Sequence, residues 1–314
     1  MPRVLSLALA ALVSACVAQD IRVNVNLVRV LTTVRDANGQ LVGSLGKEDF
    51  TILDNRAPQQ VAVFERHTEQ PLSVALLVDT SGSTAKDLKY EIDSVSRFLH
   101  ALFGEGNPRD AVALYSFNYQ VVKHNHFTRN VSPLERSLHL LKAEAGTSLY
   151  DAIYLTAQDL EGRQGRRVMV IVTDGGDTTS TKDFRAALEA AQLADAVIYP
   201  ILVVPITNDA GRNIGGENAL TTLAAGTGGH VFAPSVGAAL DKAFSDIILA
   251  LRTQYLLAFY PKDVPLTKNR FHQLEVHVQR PGLQVSARSG YYGEATGDSN
   301  SRPGRVSIAP RETR

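Results

Sequence analysis

The sequence is poor in the residues that carry most redox and metal chemistry. Its 314 residues include one cysteine, two methionines and no tryptophan. Cys16 is the single thiol, so no disulfide can form within the chain and stability must come from a packed core. Charge of one sign is lacking too. The 32 Lys and Arg residues balance 32 Asp and Glu residues, which removes the electrostatic footprint of a nucleic-acid or anionic-membrane binder. Several catalytic signatures are also missing: there is no Gly-x-Ser-x-Gly elbow and no His-Glu-x-x-His zinc helix. Nor is there a Gly-x-x-x-x-Gly-Lys phosphate loop. What is present is an ordinary apolar fraction, 44%, at a length that suggests about two domains.

The chain starts Met1-Pro2-Arg3, runs through an apolar stretch from Val4 to Ala15, and continues Cys16-Val17-Ala18-Gln19-Asp20. A positive start, a short apolar core and small residues at its end predict a secretory signal over residues 1–18. The stretch is too short for a membrane-spanning helix. Two processing routes stay open. Val13-Ser14-Ala15-Cys16 resembles a bacterial lipobox, although valine is a less usual opener than leucine, and would leave Cys16 lipidated. Cleavage after Ala18 would release a soluble chain without cysteine. Either route predicts an extracytoplasmic protein: secreted, periplasmic or anchored in the envelope.

Hydrophobic periodicity divides the remainder. Residues 20–70 read as a β segment. Ile21, Val23, Val25 and Leu27 alternate with polar residues, and the phase shift at Val28 and Val30 predicts a bulge. Asp36-Ala37-Asn38-Gly39 reads as a turn. Phe50–Leu53 and Val61–Phe64, either side of Asp54-Asn55-Arg56, predict a hairpin. Residues 72–252 alternate strand and helix, which implies a mainly parallel, doubly wound α/β sheet with helices on both faces. Helical spacing places Leu88, Ile92, Val95, Leu99 and Phe103 on one face, and Leu134, Leu138 and Leu141 on another. A short helix is expected around Leu220, Leu223 and Ala224, then a final strand opening at Gly228. Residues 253–292 return to a period of two, with strands at Tyr255–Tyr260, Leu274–Val278 and from Val285 towards Tyr291. The outer strands are too few on either side to stand alone. They are expected to pack as one small β-sandwich with the α/β unit inserted between them. The polar tail, residues 293–314, is expected to be disordered.

One segment carries most of the chemistry. Val74-Ala75-Leu76-Leu77-Val78 is an apolar run that ends in Asp79-Thr80-Ser81-Gly82-Ser83. A buried parallel strand delivers its next residues to the crevice at its C-terminal end, where open α/β sheets bind ligands. Asp79, Ser81 and Ser83 would then offer three hard oxygens, a set suited to Mg²⁺, Mn²⁺ or Ca²⁺ rather than zinc. The bland alternative makes them turn and N-cap residues of the next helix. Two further pieces follow in order: Gly146-Thr147-Ser148, and the apolar strand Val168–Thr173 ending in Asp174-Gly175.

This Asp-x-Ser-x-Ser pattern, with Thr147 and Asp174 after it, resembles the metal-ion-dependent adhesion site of von Willebrand factor A-type domains. The wider order resembles bacterial von Willebrand A-related proteins, especially a group common in acidobacterial genomes. Val34-Arg35-Asp36 with Gly39, Lys47-Glu48-Asp49-Phe50 and Arg288-Ser289-Gly290-Tyr291-Tyr292 carry that closer likeness. The resemblance implies that Ser81, Ser83 and Thr147 coordinate a cation through their hydroxyls. Asp79 and Asp174 would bind directly or through water. It further implies an open coordination position for an Asp or Glu carboxylate of a partner protein. Gly82 is expected to permit the tight path between the serines, and Asp79 to benefit from the dipole of a helix starting near Thr84.

Other candidates carry less. Asp177 would sit at the rim of the site, cap the following helix or face solvent. Asp151 fits a first-turn helical carboxylate. His124 and His126 share a strand face but lack a third ligand for zinc. Tyr255, Phe259, Tyr260, Tyr291 and Tyr292 read as sandwich core or rim, or as a partner surface. Two rival functions stand beside adhesion. In one, the metal only stabilises a structural envelope protein. In the other, the chain resembles haloacid-dehalogenase-type phosphatases, but Ser81 stands where those need their second acidic residue, so the acid/base is missing.

Overall fold

The computed structural model describes residues 27–66, 70–104, 106–203, 213–234, 238–264 and 270–293. The signal segment with Cys16, the alternation from Ile21 to Val25 and the tail from residue 294 lie outside the described residues. Four strands come first: β1 (Val28–Arg35), β2 (Phe50–Asp54), β3 (Ala57–Gln59) and β4 (Val61–Glu65). Strand and helix then alternate through β5 (Leu72–Asp79), α1 (Leu88–Gly104), β6 (Ala111–Phe117), β7 (Val121–Thr128), α2 (Val131–Leu138) and α3 (Leu149–Glu161). The alternation continues with β8 (Arg166–Thr173), α4 (Phe184–Leu193), β9 (Ala196–Leu202), α5 (Ile214–Thr227) and α6 (Ala238–Thr253). The last strands are β10 (Tyr255–Phe259), β11 (Phe271–Val278), β12 (Gln284–Ala287) and β13 (Gly290–Tyr292).

The α/β unit is built on a five-stranded sheet in the order β7-β6-β5-β8-β9. β6, β5, β8 and β9 are parallel, and only the edge strand β7 runs antiparallel. A three-residue turn joins β6 to β7, which suffices for an antiparallel neighbour, whereas each parallel neighbour needs a crossover. All eight residues of β5 are buried. Val74, Leu76 and Val78 pack with Phe98 and Leu99 of α1 and Phe244 and Ile247 of α6. Ala75 and Leu77 pack on the opposite face with Ile153 and Leu160 of α3 and Leu220 of α5. A strand covered on both faces has no polar side, hence the unbroken apolar run in the sequence.

The remaining strands form two four-stranded sheets, β12-β1-β10-β4 and β13-β11-β2-β3. Val30, Leu257 and Phe259 of one share a core with Ile52, Leu274 and Tyr291 of the other. The outer strands therefore make the expected small sandwich, and the α/β unit leaves it after β4 and returns at β10. Tyr255 and Phe259 are core residues, while Tyr260 is exposed.

Several local expectations need correction. β2 does not pair with β4. It turns at Asn55 and Arg56, both at positive φ, into β3, and β4 crosses to the other sheet and pairs with β10. No bulge interrupts β1, whose register against β10 and β12 is continuous; the shift lies between Ala258 and Phe259, against β4. The shift marks the start of the strand: Leu27 lies before it and is exposed, while Val28, Val30 and Thr32 alternate inward. Thr32 and Thr33 are buried in succession, and Thr33 receives a hydrogen bond from Gln254 next to α6 (3.1 Å), so this half of β1 is covered on two sides. Leu141 lies beyond the end of α2, although it still packs into the core. α5 runs over 14 residues and is not short. The segment from Gly228 reaches the sheet only through a single bridge from Phe232 to Ile201. Val285 and Tyr291 do not share a strand, because the chain switches sheets between β12 and β13. Arg288 pins that switch by donating to Asp195 (2.9 Å) and to the carbonyl of Arg29. No helix among the described residues is long and apolar enough to cross a membrane.

Candidate functional site

From β5 the chain proceeds outward to β6 and β7, and from β8 outward to β9 in the other direction. The point of divergence lies between β5 and β8, where a crevice opens at the C-terminal strand ends. Asp79 is the last residue of β5, and Asp174 directly follows Thr173, the last residue of β8. The sheet thus brings these two carboxyl groups to the same crevice from adjacent strands.

Asp79 is fully buried. One of its oxygens accepts the Ser81 N–H (2.8 Å), and the other accepts the Thr173 hydroxyl (2.6 Å). The Thr84 hydroxyl donates to the Ser81 carbonyl (2.9 Å) and closes the turn. Ser81 and Ser83 lie with their hydroxyl oxygens 3.0 Å apart, and the Ser83 hydroxyl hydrogen-bonds Asp174. A short 3-10 turn (Gly82–Lys86) stands between this loop and α1, which starts only at Leu88. Asp79 therefore draws on the Ser81 amide and not on the end of the long helix. A methyl group at Gly82 would meet nothing nearer than the Glu144 carbonyl at 3.9 Å, an ordinary contact, so the path between the serines does not require glycine.

The glycine that matters is Gly146. It has φ +84°, and a Cβ there would lie 2.9 Å from Cβ of Tyr119. Its loop runs beside the first one: the Glu144 N–H donates to the Thr80 carbonyl (2.8 Å), and Glu144 bridges Ser81. Thr147 is then held from the far side. Its N–H donates to the Thr178 hydroxyl (2.9 Å), and its carbonyl accepts the Thr178 N–H (2.8 Å). Thr147 is thereby fixed between the loops that follow β5 and β8.

Asp177 and Asp151 hold loops. Asp177 accepts from the Tyr150 N–H at the start of α3 (3.2 Å) and from Ser180. Asp151 accepts the N–H groups of Thr181 (2.9 Å) and Lys182 (2.8 Å). Asp183, not Asp177, caps α4. His124 bonds Ser116 (2.7 Å), and burial lowers its pKa. Among the described residues, no group of three or more His, Cys, Asp or Glu side chains is gathered to ligate one metal.

Two residues escaped the sequence reading. Asn213 caps α5 and lies against Gly175 and Gly176, where Gly216 also approaches too closely for any side chain. The paired glycines at 175–176 and 215–216 were the available signal for this contact. Glu91 is the second. It lies on the buried face of α1 between Leu88 and Ile92, is 1% exposed, and neither carboxyl oxygen has a hydrogen-bond partner. An acidic residue at an apolar helix position was its signal.

The electrostatics of the crevice are one-sided. Burial raises Asp79 to about 6, with the charge of Asp174 adding, against the hydrogen bonds from Thr173 and Ser81. Burial also raises Asp174, and Asp87 adds to this. Glu91 is pushed to about 8, first by burial and then by Asp79, Asp174 and Asp87. Among the described residues, every charge that acts on these three groups is negative. The donors are all oxygens, two carboxyls and neighbouring hydroxyls, the kind of set that hard divalent cations take.

Residues 74–176 match the von Willebrand factor type A domain family. That segment holds Asp79, Ser81, Ser83, Thr147 and Asp174 together. Among solved structures, the chain is similar to the vWF domain of the type V pili tip protein Mfa5 from Porphyromonas gingivalis. The identity there is 15%, over 57% of this chain and 94% of that one, with a TM-score of 0.48. An aerotolerance-related membrane protein from Bacteroides fragilis is similar at 19% identity, over 57% and 98%, with a TM-score of 0.45. The PilB minor pilin from Streptococcus sanguinis is similar at 14%, over 59% and 62%, with a TM-score of 0.46. No curated protein matches the chain.

Proposed function

We propose that the chain is a divalent-cation-dependent protein-binding module that serves adhesion or assembly outside the cytoplasm. The observation that carries this reading is the pair of buried carboxyls, Asp79 and Asp174, at the divergence point of the sheet. They stand beside serine hydroxyls, and among the described residues no positive group acts on them. Mg²⁺, or Mn²⁺ or Ca²⁺ in its place, supplies that charge. Ser81, Ser83 and Thr147 would hold it through hydroxyls, and Asp79 and Asp174 directly or through water. Hydroxyls are neutral and add no charge, so the site stays short of anions and accepts a carboxylate from a partner Asp or Glu. Thr173 and the Ser81 amide keep Asp79 aimed, and the Thr178 contacts keep Thr147 in reach. The reading is one of binding and not catalysis, because among the described residues no nucleophile with a base is assembled in the crevice.

Mg²⁺ should raise the unfolding midpoint of the mature chain, by roughly 2.7 kcal/mol of stability at about a hundredfold excess over Kd. Ser81→Ala combined with Ser83→Ala should abolish the shift and keep the metal-free fold. An equal Mg²⁺ shift in that variant would place the ion elsewhere. A partner should be captured in Mg²⁺ and released by chelator, and Thr147→Ala should weaken the partner more than the ion. Partner binding that survives chelator would end the carboxylate-bridge reading. Processing is tested separately: a mature chain that begins at Gln19 in mass spectrometry would exclude lipidation of Cys16.

A further inference from the structure

Glu91 presents a physical problem of its own. Its carboxyl is 1% exposed, and both oxygens lack a hydrogen-bond partner. Burying a carboxyl without partners costs stability, more if it is ionised. An apolar side chain of the same length would fill the same place in α1 without that cost. The rest of the exposed-to-buried pattern of α1 is orderly, with Leu88, Ile92, Val95 and Leu99 in the core. Glu91 is the one acidic side chain on that buried face. Glu91 lies in the first turn of α1, directly after the Gly82–Lys86 turn of the candidate site, between Leu88 and Ile92, which pack with Val78 beside Asp79.

We infer that Glu91 is a third carboxylate of the cation site, lying behind Asp79 and Asp174 and acting on the ion through bound water. The inference rests on the proposed cation site. Direct ligation is not required of Glu91, since the three carboxyls are not gathered tightly enough to share one ion. A water on the buried side of a hard cation is polarised and donates strongly, and Glu91 has two free acceptors for it. In the loaded protein the orphaned carboxyl gains both its missing partner and its missing counter-charge. In the empty protein it remains a cost. Glu91 is thus a positioning residue whose effects on fold and on cation have opposite signs.

That opposition makes the test. Mn²⁺ affinity is measured by titration calorimetry, and unfolding midpoints are measured in chelator, for wild type, Glu91→Gln and Glu91→Met. Removal of such an outer partner should lower Mn²⁺ affinity by about 10- to 100-fold in both variants. In chelator, Glu91→Met should unfold at a higher temperature than wild type. A merely structural glutamate would do the reverse, so a lower midpoint for Glu91→Met overturns the inference. Wild-type Mn²⁺ affinity in either variant overturns it too, and leaves the cation site standing. Should Glu91→Met fail to fold, the near-isosteric Glu91→Gln decides by affinity alone. If wild type itself binds no Mn²⁺, the proposed site falls and this inference with it.

Discussion

Asp79 and Glu91 make the stability of the metal-free protein depend on pH, and the sign follows from burial. Both carboxyls titrate in the folded chain above their ordinary range, at about 6 and about 8. The folded protein therefore keeps protons that the unfolded chain has already lost. Their contribution is fully present below the ordinary carboxyl range and disappears as pH rises through about 6 and then about 8. In chelator, the unfolding midpoint should fall steadily from acid to alkaline pH across that window; saturating Mg²⁺ should flatten the fall. A metal-free profile that rises over the same window would contradict the burial of both groups. Two glycines give a sharper contrast at this scale. Gly146→Ala must force a side chain to φ +84° and against Tyr119, and should cost about 1–3 kcal/mol in a denaturant titration. Gly82→Ala meets only an ordinary contact and should leave the metal-free fold close to wild type. The sequence alone suggested the opposite emphasis, because Gly82 stands between the two motif serines, whereas Gly146 only precedes Thr147. Local pattern shows that a glycine is present; only the neighbouring loop shows which one is needed.

At the level of strands and helices, the β-sandwich has its own buried centre, remote from the crevice. Asp54 at the end of β2 is fully buried and accepts the Tyr291 hydroxyl from β13 (2.6 Å) and bonds His272 of β11 (3.0 Å). The rings of His272 and Tyr291 stack at 4.6 Å. Three strands of one sheet are tied through this one carboxyl. Asp54→Ala would strand the buried Tyr291 hydroxyl and the partly buried His272 ring, and should destabilise by about 1–3 kcal/mol in urea. Mn²⁺ affinity should not change, and a matching loss of affinity would show that the sandwich shapes the crevice. Legibility differed between the two halves for a physical reason. β5 and β8 are covered on both faces, so composition alone marks them, and the residues that follow them fall at the crevice. The order of strands in the sandwich was not legible. β4 and β13 each leave the sheet of their neighbour in sequence, and a period of two tells which side faces the core, not which strand lies alongside. Glu91 was not legible either, because the five apolar positions from Leu88 to Phe103 already account for the buried face of α1 without it.

For the molecule as a whole, the decisive contact lies where the sandwich meets the α/β unit, at the end of the sheet opposite the crevice. Arg166 opens β8 there and is 2% exposed. It donates to the Leu251 carbonyl near the end of α6 and to Gln254. Gln254 in turn donates to Thr33 of β1 (3.1 Å) and Tyr199 of β9 (3.0 Å). One guanidinium and one amide thus link a sandwich strand, two sheet strands and a helix end. Arg288 adds a second tie to Asp195 (2.9 Å). Buried polar links of this kind are directional, so they fix orientation in a way that apolar contact does not. The arrangement puts these ties at the opposite ends of the strands from the crevice. Arg166→Met keeps the apolar stem but leaves Gln254 and the Leu251 carbonyl without their donor. The loss should be about 1–3 kcal/mol, taken from the contact between the units and not from either core. Calorimetry should therefore show one unfolding transition for wild type and two for Arg166→Met, with Mg²⁺ raising only the transition of the α/β unit. Each core is separate, so the second transition is a consequence of the fold and not of damage. A single transition in the variant, merely shifted down, would mean that the units cooperate through the rest of their contact, and the Arg166 network would then be a local stabiliser without an organising role.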